Sequence, residues 1–512
     1  MASDSPINPS TFSGSAAASR PDHSASTLKQ VGKGLGIHLF DKPKMVHPKQ
    51  MPLPGVVIFV HGVNSEGEWF AAAEVGLCKG LNRRLGRLDA QMAYKGVDAG
   101  QMAPVSYMRS LTLDGYINPK LTAETFIKAD PSFSPVIHFR WGYKADADGL
   151  KEYGANTYLN ERNYWGGGPF ANGCSSLPDL WTAGLDDRFF GWIKVQALNT
   201  TDRQVYKPPG RQYMVMAALR LAKLIESIRT RQADVAITVV CHSQGNMVGM
   251  TAAFFGDRMP EVTDPVGKKG KCVADAYVQA SAPYSLVADS WLENWVQRTS
   301  KDAQGRRGRE TSTARTDTLK NFFEILRQRA AFEPDPNTLD QEMANTIAPS
   351  TGNGKAYSAA ADRKSHGLKN HTYGRVTLYC CPHDQVISAA TIQGIGWLGL
   401  SKTQIEKTGG EGVFTQRVFA SGYDVGQEPG NFYRYWADDW RHKVNVRDGF
   451  FYPPSPTASF GFKRQWRANP SSETLTGMAG IGNWLLIAKL LVRTAVNAEP
   501  DKHWEIPVIW GW

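Results

Sequence analysis

"VVCHSQGNMVGM", residues 239–250, decides how this chain is read. Its β-branched start belongs to "VAITVVC" (235–241), a short apolar run that reads as a strand buried on both faces. The run stops at Cys-His-Ser-Gln-Gly, and "GNMVGMTAAFFG" follows with helical spacing. Ser243 therefore stands at the apex of a strand-to-helix turn. Such a turn lifts a side chain clear of the sheet and sets it beside the free N–H groups of the next helix. It demands small residues two before and two after the apex. Gly245 meets the second demand. Cys241 stands where the pattern G-x-S-x-G has its first glycine.

The same grammar extends to both sides. "GVVIFVHG" (55–62), "SPVIHFRWGY" (134–143), "CVADAYVQASAP" (272–283), "RVTLYCC" (375–381) and "GVFTQRVFA" (412–420) read as further strands. Helical patterns lie between them, at "GEWFAAAEVGLCKGLNRRLG", "RQYMVMAALRLAKLIESIRTR" (211–231) and "AATIQGIGWLGL". Alternation of this kind is the signature of an α/β fold with a mostly parallel sheet and helices on both faces. Two stretches break it. Residues 146–210 are rich in Gly, Pro and aromatics and read as an insertion; residues 285–372, with one helix near 317–331, read as a cap or lid. The expected organisation is a disordered leader (1–50), core segments at 51–145, 211–284 and 373–421, these two insertions, and a C-terminal region (422–512).

The 512-residue chain is 42% hydrophobic and 21% charged, the composition of a soluble globular protein. Its net charge of +10 favours an anionic partner such as a membrane surface. Nucleic acid is not expected, since no zinc-finger, RNP or P-loop pattern accompanies the basic clusters Lys268-Lys269-Gly270-Lys271 and Arg306-Arg307-Gly308-Arg309, which read as solvated loop charge. The six cysteines contain no C-x-x-C pair and read as buried free thiols. No signal sequence opens the chain, and "GIGNWLLIAKLLVRTAV" (480–496) is too short and too charged to span a bilayer. The expected location is the cytoplasm of the producing cell.

A serine hydroxyl is a poor nucleophile unless a histidine takes its proton, an acid orients that histidine, and donors receive the oxyanion. The sequence supplies candidates in a suggestive order: "VHG" ending an upstream strand, Ser243, then Asp384 after a downstream strand. The competing reading of Ser243 is a turn serine that caps a helix. His242, beside the apex, is expected to pack rather than act as base.

"FVHGV", "HSQG" and "PHDQVI" resemble an α/β-hydrolase of the lipase and esterase type. The opening "VIFVHGVNSEGEWF", the insertions and the aromatic-rich tail resemble the type VI secretion lipase effectors that carry an extra C-terminal domain. The resemblance implies an α/β-hydrolase fold with cap insertions and cleavage of phospholipid acyl esters at a membrane surface. It also implies delivery into the periplasm of a neighbouring bacterium, and an immunity protein and a secretion adaptor as partners. By the same resemblance the oxyanion donors are the backbone N–H groups of Gln244 and Val63, Asp384 is the acid, and His61 is structural. Fold order puts the base after residue 420, where His442 and His503 remain; His442 is preferred because it precedes the C-terminal helix. An esterase or thioesterase for a soluble substrate, and a binding scaffold with an incomplete triad, are the competing functions.

No cofactor or metal is expected. His366, His371 and His383 lack metal-ligand spacing. "KADADG" (144–149) imitates part of a calcium loop but places Lys144 at its first ligand position. "GKGLG" (32–36) lacks the strand that a phosphate loop follows.

Overall fold

The protein is seen in a computed structural model that describes most of residues 51–418; its longest undescribed stretches in that span are 108–127, 152–163, 195–209, 287–311 and 345–357. The leader, the C-terminal region, His383, His442 and His503 lie outside the described residues.

Six strands form one sheet: β1 (Val56–Val60), β2 (Val136–Phe139), β3 (Ile237–His242), β4 (Ala276–Ala280), β5 (Arg375–Cys380) and β6 (Phe414–Val418). Their order across the sheet is β6-β5-β4-β3-β1-β2, and every neighbouring pair is parallel. Each strand falls inside a stretch that reads as a strand from sequence, save that β3 runs one residue further, to His242. The principal helices are α1 (Phe70–Arg84), α2 (Gln212–Arg231), α3 (Gly245–Arg258), α4 (Ser312–Arg327), α5 (Pro336–Ala344) and α6 (Ala359–His366).

Strand β1 shows why its apolar run is unbroken. Val56, Ile58 and Val60 join the main core with Leu221 and Ile225 of α2, Met247 and Val248 of α3, and Phe322 of α4. Val57 and Phe59 point the other way, onto Phe70, Ala73 and Leu77 of α1. Both faces are therefore covered by helices, and each fully buried large apolar side chain contributes roughly 1.5–3 kcal/mol.

The topology creates one singular place. From β1 the chain crosses outward to β2, then returns to β3 on the other side of β1 and moves outward the opposite way. The two crossover directions part between β1 and β3. In open parallel sheets the crevice at the carboxyl ends of such strands is where ligands bind. His61 and Gly62 follow β1 there, and Ser243 follows β3.

Three differences from the sequence reading have local causes. Residues 285–372 hold three described helices, α4, α5 and α6, rather than one. Helix α5 starts in Pro/Asn-rich sequence because Asp335 caps it, accepting from the Thr338 N–H at 3.2 Å. Ser358 caps α6 by accepting from the Ala361 N–H at 3.1 Å. Within "AATIQGIGWLGL" only Ile395–Leu398 is helical among the described residues. There Gly396 lies so close to the 281–282 backbone that a Cβ would stand 2.0 Å from the Ala282 nitrogen. The basic cluster at 268–271 belongs to a small hairpin, Val262–Thr263 with Lys269–Gly270, rather than to an open loop.

Candidate active site

Ser243 adopts φ 51°, a left-handed conformation that a non-glycine residue seldom occupies without a reason. Hydrogen bonds hold it there. Its N–H donates to the Ala280 carbonyl of β4 at 2.9 Å. Its carbonyl accepts from the Asn246 N–H at 3.0 Å and from Asn246 Nδ2 at 2.7 Å. Asn246 Nδ2 also reaches the Ala280 carbonyl, at 2.9 Å. The strained apex is thus tied to the neighbouring strand and to the first turn of α3.

Glycines let the backbones close around it. A Cβ on Gly62 would lie 2.7 Å from Ser243 Cβ and 3.2 Å from Ser243 Oγ. A Cβ on Gly245 would lie 2.3 Å from the His61 carbonyl oxygen, which is backbone and cannot swing aside. The turn after β1 and the turn after β3 are therefore in contact.

Cys241 is accommodated from the opposite side. Its Sγ fills the space above Gly249 in α3, where an added Cβ would stand 2.5 Å from the sulfur. The glycine missing at 241 has its counterpart one helical turn into α3. Replacing Gly249 by alanine is expected to cost about 1–3 kcal/mol through overpacking. Adding Cys241→Gly should return much of that loss. A double variant no more stable to heat than Gly249→Ala alone would refute the pairing.

His61 is fully buried and fixed by geometry. Its Nδ1 donates to the Gly62 carbonyl at 2.8 Å, and its Nε2 accepts from the Trp141 N–H at 3.0 Å. The Trp141 ring stacks on it with centroids 5.2 Å apart, and the indole N–H donates to the His61 carbonyl at 2.8 Å. Burial lowers its pKa to about 4. It is neutral in the folded protein, both ring nitrogens are engaged, and neither is free to take a proton from serine. Because the folded pKa lies below the ordinary 6.5, whatever stability it carries is present above that value and lost as pH falls toward 4.

Of the predicted oxyanion residues, Gln244 directly follows the serine and Val63 directly follows Gly62. Gln244 is the N-cap of α3, at φ −60° and ψ −21°, and its side chain is buried. Val63 is half-buried in the turn after Gly62. Asp384 lies four residues beyond β5, two strands from β3. One of its carboxylate oxygens accepts from the N–H groups of Val386 and Ile387, each at 2.9 Å. His242 is accessible to solvent but crowded by neighbouring chain and lies edge-on to Trp69. Desolvation lowers its pKa, against the opposing charges of Asp384 and Glu68. No cluster of metal-ligating side chains occurs among the described residues.

Sequence reasoning overlooked the segment that lies on Gln244. Residues 173–182 include a short 3-10 turn, Leu177–Trp181, with Ser176 and Asp179 forming a reciprocal capping box at its start. Cys174, Leu177 and Leu180 from this segment join the main core. The Ser-Ser-Leu-Pro-Asp run was the available signal, and the surrounding glycines hid it.

Comparison with known proteins places this fold in a family. Residues 53–401 match the T6SS Tle3 phospholipase effector domain. The antibacterial effector protein Tle3 of Pseudomonas aeruginosa is 30% identical over 418 residues, covering 76% of this chain and 53% of that protein. The chain thus spans about half the length of the curated relative it matches. With two thirds of its length inside the matched domain, and the strand-to-helix serine within it, this chain belongs to the Tle3 family of type VI secretion phospholipase effectors.

Proposed function

We propose that this protein is a serine hydrolase on the α/β-hydrolase plan that cleaves acyl esters of membrane phospholipids as an antibacterial effector. The observation that carries the reading is Ser243: a positive-φ serine at the switch point of a parallel sheet, against Gly62 and at the start of α3. The strand order and the position of the serine directly after β3 support the α/β-hydrolase assignment.

In this mechanism Ser243 Oγ attacks the ester carbonyl while a histidine takes its proton. His442 is the preferred base and His503 the alternative. Asp384 orients that histidine, and the Gln244 and Val63 N–H groups receive the oxyanion. The lysophospholipid leaves with the proton held by histidine. Water then cleaves the acyl-enzyme and releases the fatty acid. No step requires a cofactor. Action in the periplasm of a target cell would require a secretion adaptor for delivery and an immunity protein in the producer.

A surface beside the site favours a lipid over a soluble substrate. Helix α2 runs back from the carboxyl end of the sheet toward the start of β3, so its first turns stand at the Ser243 end. Met216 and Leu219 there are 58% and 37% exposed, and Trp181, bonded through its carbonyl to Gln212 Nε2, is 50% exposed. A tryptophan at such a rim suits the boundary between water and acyl chains, and the net charge of +10 draws the protein to anionic lipid. Fatty-acid release from phospholipid vesicles, compared with hydrolysis of a short soluble ester, tests both points. Wild type should prefer vesicles, and Trp181→Ala should lower the vesicle-to-soluble rate ratio roughly tenfold, the effect of about 1.4 kcal/mol of lost interfacial burial. Hydrolysis of the soluble ester alone would make the protein an esterase. Hydrolysis of neither would leave a binding scaffold.

A further inference from the structure

The peptide unit between Ser243 and Gln244 holds the N–H assigned to the oxyanion, and both of its ends are gripped. On the carbonyl side Asn246 supplies two donors, its own N–H and Nδ2. On the other side the Gln244 side chain reaches away from the elbow and closes a two-point clasp with Cys174. Gln244 Oε1 accepts from the Cys174 N–H at 3.3 Å, and Gln244 Nε2 donates to Cys174 Sγ at 2.7 Å. Both side chains are almost fully buried, so these bonds do not compete with bulk water. Burial pushes the Cys174 thiol up to about 12, which keeps the sulfur a neutral acceptor.

Cys174 is itself held by its neighbours. The Gly173 carbonyl accepts from Arg211 Nη2 at 2.6 Å, where the chain returns to the core from the first insertion. The Ser175 carbonyl accepts from the Ser285 N–H at 3.0 Å, where the second insertion begins. Ser285 in turn accepts, through its carbonyl, from Arg315 Nη1 of α4 at 3.1 Å. Three consecutive residues therefore connect the elbow to the ends of both insertions.

We propose that the Gln244 side chain is a positioning residue for ester hydrolysis: through Cys174 it makes the alignment of the oxyanion N–H depend on segment 173–175 being seated on the elbow. This rests on the serine-hydrolase reading above. A helix-capping glutamine of purely structural use would need no partner from a distant segment, whereas this one is bound at both of its side-chain polar atoms by a residue 70 positions away. The reaction is unchanged; what the clasp sets is how well the N–H meets the negative charge that develops on the carbonyl oxygen.

Steady-state hydrolysis of a soluble short-chain ester by the full chain tests this, alongside labelling of Ser243 by a fluorophosphonate and thermal melting. Gln244→Ala should lower kcat about 10- to 100-fold with KM within about threefold, short of the roughly 10²–10³-fold cost of losing an oxyanion donor outright. Cys174→Ala keeps the backbone bond and loses only the sulfur, so its kcat should fall less. Gln244→Glu separates alignment from folding. Ionised, it cannot donate to the sulfur and sets a buried negative charge against Cys174 Sγ. Protonated, it regains a donor and the near shape of glutamine. Its kcat relative to wild type should therefore rise as pH falls, over a range set above the usual glutamate value by burial. Wild-type kcat in Gln244→Ala, or a pH-independent ratio for Gln244→Glu, would overturn the proposal and leave the hydrolase reading standing. Wild type that neither turns over the ester nor takes the label would overturn both.

Discussion

Replacing Ser243 by alanine is expected to lower fatty-acid release from phospholipid vesicles by about 10⁴-fold or more, with no comparable loss of thermal stability. The substitution removes one oxygen. The hydrogen bonds that hold the apex run through the Ser243 N–H and carbonyl, and alanine retains both. The positive φ is no harder for alanine's Cβ than for serine's. A fall in rate with an unchanged melting curve would therefore report lost chemistry, not a lost turn. Release by the alanine variant at the wild-type rate would remove Ser243 and the whole mechanism. The same assay assigns the base: His442→Ala should match the serine variant and His503→Ala should not, and the reverse result would exchange their roles.

Asp275→Asn should leave the chemistry at the far end of the sheet alone and destabilise the fold by about 3–5 kcal/mol, a drop of roughly 10 °C in melting temperature. Asp275 stands just before β4, almost completely buried. One carboxylate oxygen accepts from Arg229 Nη2 and from the Ile237 N–H, each at 2.8 Å. The other accepts from Arg329 Nη2 at 2.8 Å and Nε at 3.1 Å. Both guanidinium groups are buried as well. A neutral amide would leave two positive charges in the interior with no negative charge between them, and its NH₂ would face donors. Thermal melting checks the prediction, and a shift below about 2 °C would mean that water reaches the pair.

Sequence and structure agree where burial is periodic and differ where partners are remote. Strands β1 to β6 announced themselves as short β-branched or aromatic runs, unbroken where both faces are covered, as in Val56–Val60, and alternating elsewhere, as in Arg375–Cys380. The Ser243 elbow was legible because its constraints are local: a strand, a small residue, a helix. The compensation at Gly249 is equally local, eight residues from Cys241, but it involves two elements whose packing the pattern does not specify. Asp275 offered no signal, since its arginines lie 46 and 54 residues away. Segment 173–182 carried a local capping signal in Ser176 and Asp179, but its seat on Gln244, Arg211 and Ser285 comes from remote partners that no local pattern encodes. Buried Glu74 is a similar case. It meets His138 Nε2 at 2.7 Å across α1 and β2, a contact that neither helical nor strand periodicity encodes.

The contact between Cys241 and Gly249 also constrains the history of the elbow. A sulfur at 241 and a methyl at 249 crowd the same space, so the order in which the two positions change matters to stability. Starting from a glycine at 241, the route that avoids crowding sets glycine at 249 before a side chain appears at 241. Reversion would have to retrace those steps backward. Glycine at 249 is thus the permissive residue: it lets a side chain at 241 be accommodated without crowding. In an alignment of relatives, a residue larger than glycine at 249 should be found only beside a glycine at 241.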